Sequence, residues 1–213
     1  MELIGERWAM LLVRELLLGP KRFTELRRGL PGVAANVATQ RLRELVAAGV
    51  VRHHTLPPPV SSKVYELTEW GYELEPVVRS LATWAARSPA MRHDDPLSID
   101  SMMLALRTLY VPGEFTGVVG MRIDVDEFVA TVTDECVVAR GHAPAPDFAL
   151  ATDAGTFRAM IWGRYPLAAA VVAGGTAFTG YLPTAQAFLR CFPAPEPAGI
   201  QVPTAQQDAY RAT

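Results

Sequence analysis

The first part of the chain alternates helical patterns of hydrophobic residues with short breaks. Over 2–18 the apolar side chains recur every three or four positions, which predicts a helix ending at Gly19-Pro20. A shorter helical pattern follows from 23 to 30. Pro31-Gly32 then predicts a tight turn into a third helix over 33–48. Two helices joined by a turn that contains glycine form a helix-turn-helix unit.

The third predicted helix has two faces of opposite character. Its apolar positions fall near helical spacing and predict a buried face: Val33, Val37, Leu42, Leu45 and Val46. Its polar face carries side chains that can donate to or accept from base edges in a DNA major groove: Asn36, Thr39, Gln40 and Arg43. A helix face that only meets solvent is polar as well, so this pattern alone leaves both interpretations open.

A hairpin is predicted after the third helix. The strand-like segments 51–56 and 63–67 flank three prolines, Pro57 to Pro59, which cannot donate ladder hydrogen bonds and therefore belong in the turn. Helical spacing returns over 68–87, where the wide apolar stripe suits either the same core or a dimer seam. Helix, hairpin and helix in this order predict a winged helix-turn-helix domain over 1–88.

Basic side chains precede and follow the third helix along the chain. The predicted contacts with DNA phosphates are Lys21, Arg22, Arg27, Arg28, Arg52, His54 and Lys63. Arginines on a short amphipathic helix also serve solubility alone. Residues 1–90 hold 12 Lys and Arg against 9 Asp and Glu, whereas residues 91–213 hold 8 against 13. Only the first part therefore suits a phosphate partner.

The rest of the chain predicts a second domain. A linker is expected over 89–97, a domain over 98–192, and a mobile tail rich in Pro, Ala and Gln over 193–213. Strands are expected at 115–123, 127–132, 136–140, 148–152 and 176–180, and helices at 98–109, 153–162, 165–172 and 184–190. Strands that mostly precede the helices indicate an α+β fold with a roughly five-stranded sheet.

Motifs for catalysis and metal binding do not occur. The chain has no Gly-x-Ser-x-Gly, no Gly-x-x-x-x-Gly-Lys and no His-Glu-x-x-His, so no enzyme and no cofactor are predicted. Cys136 and Cys191 are too distant in sequence to indicate a zinc site or a disulfide framework, and no metal is expected. No apolar run suits a bilayer, so no membrane partner and a cytoplasmic location are predicted.

Residues 3–88 resemble the HxlR-type winged helix-turn-helix regulators, which are relatives of the MarR group. The resemblance rests on Ile4-Gly-x-Arg-Trp8, Arg22-Phe23-x-x-Leu26, Leu30-Pro-Gly-Val33, Gln40-Arg-Leu-Arg-Glu-Leu45, Gly49-Val50-Val51 and Tyr65-Glu-Leu-Thr-x-x-Gly71. It implies a homodimer on a palindromic or pseudo-palindromic operator in double-stranded DNA, with the polar face of the third helix in the groove. Many members carry Cys-Pro before the first helix. The residues before Leu3 hold no cysteine, so thiol sensing is not expected.

Residues 98–192 resemble the sterol carrier protein type-2-like domain at the level of pattern. The matching features are the meander around Asp134-Glu135, the helix start Asp153-Ala-Gly-Thr-Phe157 and the segment Ala173-Gly-Gly-Thr-x-Phe-x-Gly180. Some proteins with this fold hold an apolar ligand between sheet and helices. That resemblance implies an apolar small-molecule effector.

The candidate residues for lining such a ligand site are Phe115, Met121, Phe128, Trp162, Phe178 and Phe188. Plain core is the alternative for each of them. The whole chain is therefore predicted to be a homodimeric transcriptional regulator modulated by an effector. The alternative is a lipid or small-molecule carrier whose winged helix binds another protein.

Overall fold

The computed structural model describes residues 2–88 and 97–199. Of the predicted linker over 89–97, all but Leu97 lies outside the described residues, and so does the predicted tail beyond Gly199. The N-terminal elements are helices α1 (Glu2–Gly5), α2 (Ala9–Leu16), α3 (Phe23–Gly29) and α4 (Ala35–Ala47), strands β1 (Val51–Thr55) and β2 (Lys63–Leu67), and helices α5 (Glu69–Tyr72) and α6 (Glu75–Ala86).

Two of the predicted helices are each divided into a short and a long helix. The first breaks before α2 at Trp8, which has a left-handed backbone with φ of 82°. The Trp8 ring packs against the turn between α3 and α4, where a Cβ on Gly32 would lie 3.2 Å from a ring carbon. The other breaks between α5 and α6, where Pro76 occupies the first turn that proline favours.

The N-terminal core forms where α2 and α4 pack against the base of the hairpin. Leu12 and Leu16 of α2 and Leu42 and Leu45 of α4 are fully or almost fully buried there. Val46 is 37% exposed, so its predicted place on the buried face was wrong. Each helical residue turns about 100° from the previous one, which carries Val46 past the stripe that Leu42 and Leu45 define.

The hairpin closes against α5 through a close backbone approach. The strands β1 and β2 pair antiparallel, with Val51 opposite Leu67. The Thr68 hydroxyl donates to the Gly49 carbonyl at 2.7 Å and accepts from the Gly71 amide at 3.0 Å. A Cβ on Gly71 would lie 2.2 Å from the Val50 carbonyl oxygen, so only glycine fits there. This close approach explains the glycine at 71, whereas Gly49, before the hairpin, has a left-handed backbone with φ of 74°.

The second part of the chain is an α+β unit, as predicted. Its elements are α7 (Ile99–Leu109), β3 (Gly117–Ile123), β4 (Asp126–Val132), β5 (Cys136–Arg140), β6 (Phe148–Thr152), α8 (Ala154–Ile161), α9 (Leu167–Val172), β7 (Thr176–Gly180) and α10 (Leu182–Arg190). The five strands lie in the order β5-β4-β3-β6-β7, with β3 and β6 parallel and the other pairs antiparallel. Asp153 caps α8 by accepting from the Thr156 amide at 2.9 Å, as predicted.

The residues predicted to line an apolar ligand site lie in the core of this second unit. Phe115, Met121, Phe128 and Phe188 are at most 3% exposed, whereas Trp162 and Phe178 are partly buried against the same core. The rings of Phe115 and Phe188 meet edge to face with centroids 5.4 Å apart. The four buried residues therefore have the environment of ordinary core side chains.

Each part of the chain contributes a residue to the hydrophobic core of the other part. Leu104 of α7 belongs to the N-terminal core, and Leu18 belongs to the core of the second unit. Arg107 of α7 pairs with Glu75 of α6 at 2.6 Å. The Ala198 amide donates to the Arg87 carbonyl at 2.7 Å, so the chain after α10 returns to the end of α6.

Candidate nucleic-acid interface

The polar face of α4 is open to solvent. Asn36, Gln40 and Arg43 are exposed, and Thr39 is half-buried with its hydroxyl donating to the Ala35 carbonyl at 2.8 Å. The opposite face carries the buried Leu42 and its neighbours in the core. The fold therefore presents the four residues predicted to contact bases together on the outside of one helix.

Glu44 adds a carboxylate beside this face, one turn after Gln40. Its Oε1 accepts from Gln40 Nε2 at 2.8 Å, and its Oε2 accepts from Arg41 Nη1 at 2.5 Å. These hydrogen bonds, the one from Gln40 first, lower the pKa of Glu44. Arg41 also reaches Glu6 at 2.9 Å. A carboxylate can accept from the amino group of cytosine, and its spacing of four from Gln40 was the signal that our sequence analysis missed.

Helix α3 and the residue before it present exposed arginines. Arg22, Arg27 and Arg28 are exposed, and the Arg22 amide donates to the Glu25 carboxylate at 2.6 Å, which caps the helix. Within residues 2–88 and 97–199, neither Arg27 nor Arg28 forms a salt bridge. Their positive charges are therefore available to phosphate.

Lys21 does not belong to this basic surface, and its prediction as a phosphate contact was wrong. It is only 7% exposed, and its ammonium group pairs with Glu15 at 2.7 Å and with Asp100. Its backbone pairs with Tyr65 of β2, which directs the side chain away from solvent. In the sequence Lys21 adjoins Arg22, and the neighbouring residues give no signal that Lys21 is buried while Arg22 is exposed.

The wing formed by β1, β2 and their turn supplies further basic groups. Arg52 and His54 both contact Glu66, at 2.6 Å and 2.9 Å. The Arg52 side chain remains 60% exposed, while that of His54 is 34% exposed. Lys63 is exposed at the start of β2. Arg52 and Lys63 are thus more accessible to a phosphate strand than His54 is.

Metal ligands, the two cysteines and the lengths of the helices bear on other kinds of site. Among the described residues, no group of three or more His, Cys, Asp or Glu is placed to hold a metal ion. Burial raises the pKa of the Cys136 thiol to about 12 and also raises that of Cys191, so neither buried thiol is activated. Over the same described ranges, no helix combines the length and hydrophobicity needed to span a membrane.

Comparison with known proteins gives consistent matches to the N-terminal part. A model of the HxlR-like helix-turn-helix family matches residues 3–92. YtcD of Bacillus subtilis (strain 168), an uncharacterized HTH-type transcriptional regulator, is 35% identical over 102 residues, which is 46% of this chain and 79% of YtcD. The HTH-type transcriptional regulator YodB of the same strain is 35% identical over 83 residues, which is 39% of this chain and 74% of YodB.

One solved structure that resembles this chain is the reduced form of YodB from B. subtilis. It matches with 34% identity and a TM-score of 0.37, over 40% of this chain and 84% of the YodB chain. The match to the family model ends at residue 92, before α7 begins.

Proposed function

The chain belongs to the HxlR-like helix-turn-helix family and is a DNA-binding transcriptional regulator, and we propose that it acts as a homodimer on a palindromic operator. The observation that carries the proposal is the exposed polar face of α4, which in the chain follows the exposed arginines at 22, 27 and 28 and precedes the basic residues of the wing. A recognition helix enters the major groove while neighbouring basic elements hold the phosphate backbone.

The proposed base contacts come from the polar face of α4. Asn36 and Gln40 suit adenine, Arg43 suits guanine, and Thr39 suits either base edge. Gln40 is bonded to Glu44 in the free protein, so its contact with a base requires that hydrogen bond to be exchanged. Specificity at that position therefore depends on the replacement of one hydrogen bond by another.

The proposed phosphate contacts come from α3 and the wing. They are Arg22, Arg27, Arg28, Arg52, His54 and Lys63. The exposure of Arg27, Arg28 and Lys63 supports their assignment most directly, since Arg52 and His54 must share or release Glu66. Each phosphate contact adds to the salt dependence of binding without carrying sequence information.

The proposed dimer is supported by an apolar stripe on α6. Val77, Leu81 and Trp84 follow one another at helical spacing and are 43%, 50% and 75% exposed. An apolar helix face is self-complementary, which is what an interface on a two-fold axis requires. Such a dimer must place its two α4 helices about 34 Å apart to enter successive major grooves.

The second unit is proposed to bind the effector and to be of the sterol-carrier-like type. Its strand order and later helices support the type. One observation supports a ligand: Trp162 Nε1 is buried, and no group in the described ranges accepts its hydrogen bond. A buried donor without an acceptor is costly, so a ligand that offers an oxygen at this atom would be favoured. The filled aromatic core means that such a ligand must displace side chains near Trp162.

The experiment that tests DNA reading is a titration of the full chain against the DNA upstream of its own gene, at several salt concentrations. Gln40→Ala and Arg43→Ala should each cost about 1–3 kcal/mol on the cognate site and relax its sequence preference. Arg27→Ala and Lys63→Ala should weaken binding to all sequences alike and lower the salt slope by about one.

A control for general charge effects is Arg190→Ala, which removes an exposed arginine from α10 of the second unit. It should change neither sequence preference nor salt slope. If the α4 variants and the α3 and wing variants behave alike, the division into groove and backbone residues is incorrect.

A further inference from the structure

A row of alternating charges lies where the two parts of the chain meet, and its members Glu15, Lys21 and Asp100 are buried. Glu15 of α2 is fully buried and Asp100 of α7 is 3% exposed. Lys21 pairs with both carboxylates, at 2.7 Å from Glu15. Arg140 of β5 continues the row, at 2.5 Å from Asp100 and 2.8 Å from Asp126. The row therefore runs from the helix-turn-helix through α7 to the sheet.

Hydroxyl groups at the start of α7 complete the bonding of Glu15. Ser98 and Ser101 donate to its Oε1 at 2.6 Å and 3.2 Å. Ser98 also caps α7, since its hydroxyl accepts from the Ser101 amide at 3.1 Å. A buried carboxylate is tolerated when its oxygens are bonded, and here the second unit provides part of that bonding for a residue of the N-terminal unit.

Lys21 connects the same row to the DNA-facing elements. Its amide donates to the Tyr65 carbonyl at 2.9 Å, and its carbonyl accepts from the Tyr65 amide at 2.8 Å. Tyr65 is the central residue of β2 in the wing, and α3 begins two residues after Lys21. One residue thus contacts the wing by its backbone and the second unit by its side chain.

We propose that Lys21 is a positioning residue, through which Asp100 of the second unit fixes the wing and α3 in the orientation that fits DNA. Breaking a buried ion pair leaves an uncompensated charge at high cost. A shift of α7 must therefore carry Lys21 with it, and the wing follows through Tyr65. This inference rests on the DNA-binding surface proposed above.

The direction in which DNA affinity changes on one substitution distinguishes a positioning role from a simple effect of charge. Asp100→Asn removes a negative charge, which by long-range electrostatics alone would strengthen binding to DNA. The proposal predicts the opposite, a loss of affinity of about tenfold with an unchanged salt slope. Lys21→Met should give a similar loss, again with an unchanged slope, because Lys21 does not touch phosphate. The double variant should be no more than about threefold weaker than either single variant, since both break the same link.

The test uses the full chain, with DNA titrations over a range of salt and hydrogen exchange at the amides of β1 and β2. Lys63→Ala is the matched control, as an exposed lysine of the same wing, and should lower the salt slope without changing hydrogen exchange. Asp100→Asn should raise exchange in the wing relative to the wild type. If Asp100→Asn does not fold, Arg140→Lys, which retains the charge but not the double contact with Asp100 and Asp126, should raise wing exchange instead.

Two outcomes would overturn the inference while leaving the DNA-binding assignment intact. One is a folded Asp100→Asn variant with wild-type affinity and wild-type exchange in the wing. The other is a Lys21→Met variant whose salt slope falls as that of Lys63→Ala does, which would make Lys21 an ordinary phosphate contact. Failure of the wild-type chain and of Lys63→Ala to show any salt-dependent binding would instead contradict the proposed DNA surface.

Discussion

Replacing Trp84 by alanine should weaken the homodimer more than any other single change on α6. Trp84 is 75% exposed, more than the large hydrophobic residues Val77 and Leu81 of the same helix, and it lies one turn from Leu81. Truncation to alanine leaves a helix-favouring residue in place. The fold of the protomer should therefore be unaffected, and the effect should appear in association alone.

The magnitude follows from the exposed area. A Trp side chain offers roughly 200 Å² of surface, so about 150 Å² of Trp84 faces solvent at 75% exposure. If the dimer covers half of that area, the two copies together remove about 150 Å² from water. At about 25 cal/mol per Å² this gives about 4 kcal/mol, or roughly a thousandfold in the dimer Kd. Because alanine retains part of the contact, we expect a loss of about a hundredfold or more.

Sedimentation velocity over a range of protein concentrations measures this directly. Tyr181→Ala is the matched control, because Tyr181 is an aromatic residue that is 70% exposed on the second unit. Trp84→Ala should shift the chain to monomer at concentrations where the wild type and Tyr181→Ala remain dimeric. Wild-type association in Trp84→Ala, or dissociation in Tyr181→Ala, would show that α6 is not the dimer seam.

Three further predictions concern the second unit. With its pKa raised to about 12 against an ordinary 9.0, Cys136 should resist a thiol reagent at pH 8 in the folded chain and react rapidly in urea; fast labelling of the folded chain would contradict its burial. Between pH 9 and 12 only the unfolded chain releases the proton of the Cys136 thiol, so the free energy of unfolding should fall over this range. Below pH 9 this thiol should not change the free energy of unfolding. Chemical denaturation of the wild type and of Cys136→Ala at several pH values measures the difference. In a thermal-shift screen, an apolar ligand with a carbonyl or carboxyl oxygen should stabilise the wild type more than Trp162→Phe; equal shifts would place the ligand elsewhere.

The residues of α4 show what local pattern predicts well. Its buried and exposed faces follow from helical periodicity, so Leu42 and Gln40 were assigned correctly to the core and to solvent. The hairpin was predictable for a similar reason, because the three successive prolines cannot donate in a ladder and so mark its turn. These properties depend on a few neighbouring positions, and a single sequence contains them.

Lys21 shows what local pattern does not contain. It adjoins Arg22, and both precede the same helix, yet one is buried and the other exposed. The difference arises from Asp100, far along the chain, and from backbone pairing with Tyr65. Contacts between distant residues form only after the elements have packed. Composition and spacing therefore predicted a single basic cluster, whereas in the fold Lys21 is buried in ion pairs and Arg22 is exposed.

Contacts between distant residues also cross the domain boundary that the sequence predicts near residue 88. Charge and composition divide the chain into a DNA-binding unit and a separate second unit, but Leu18 and Leu104 each lie in the core of the other part. Glu15 obtains hydroxyl donors from Ser98 and Ser101, without which this buried carboxylate would keep Lys21 and Arg14 as its partners. A buried charge that loses donors is destabilised. The second unit therefore contributes to the stability of the DNA-binding unit. The orientation of the wing depends on contacts from both parts of the chain.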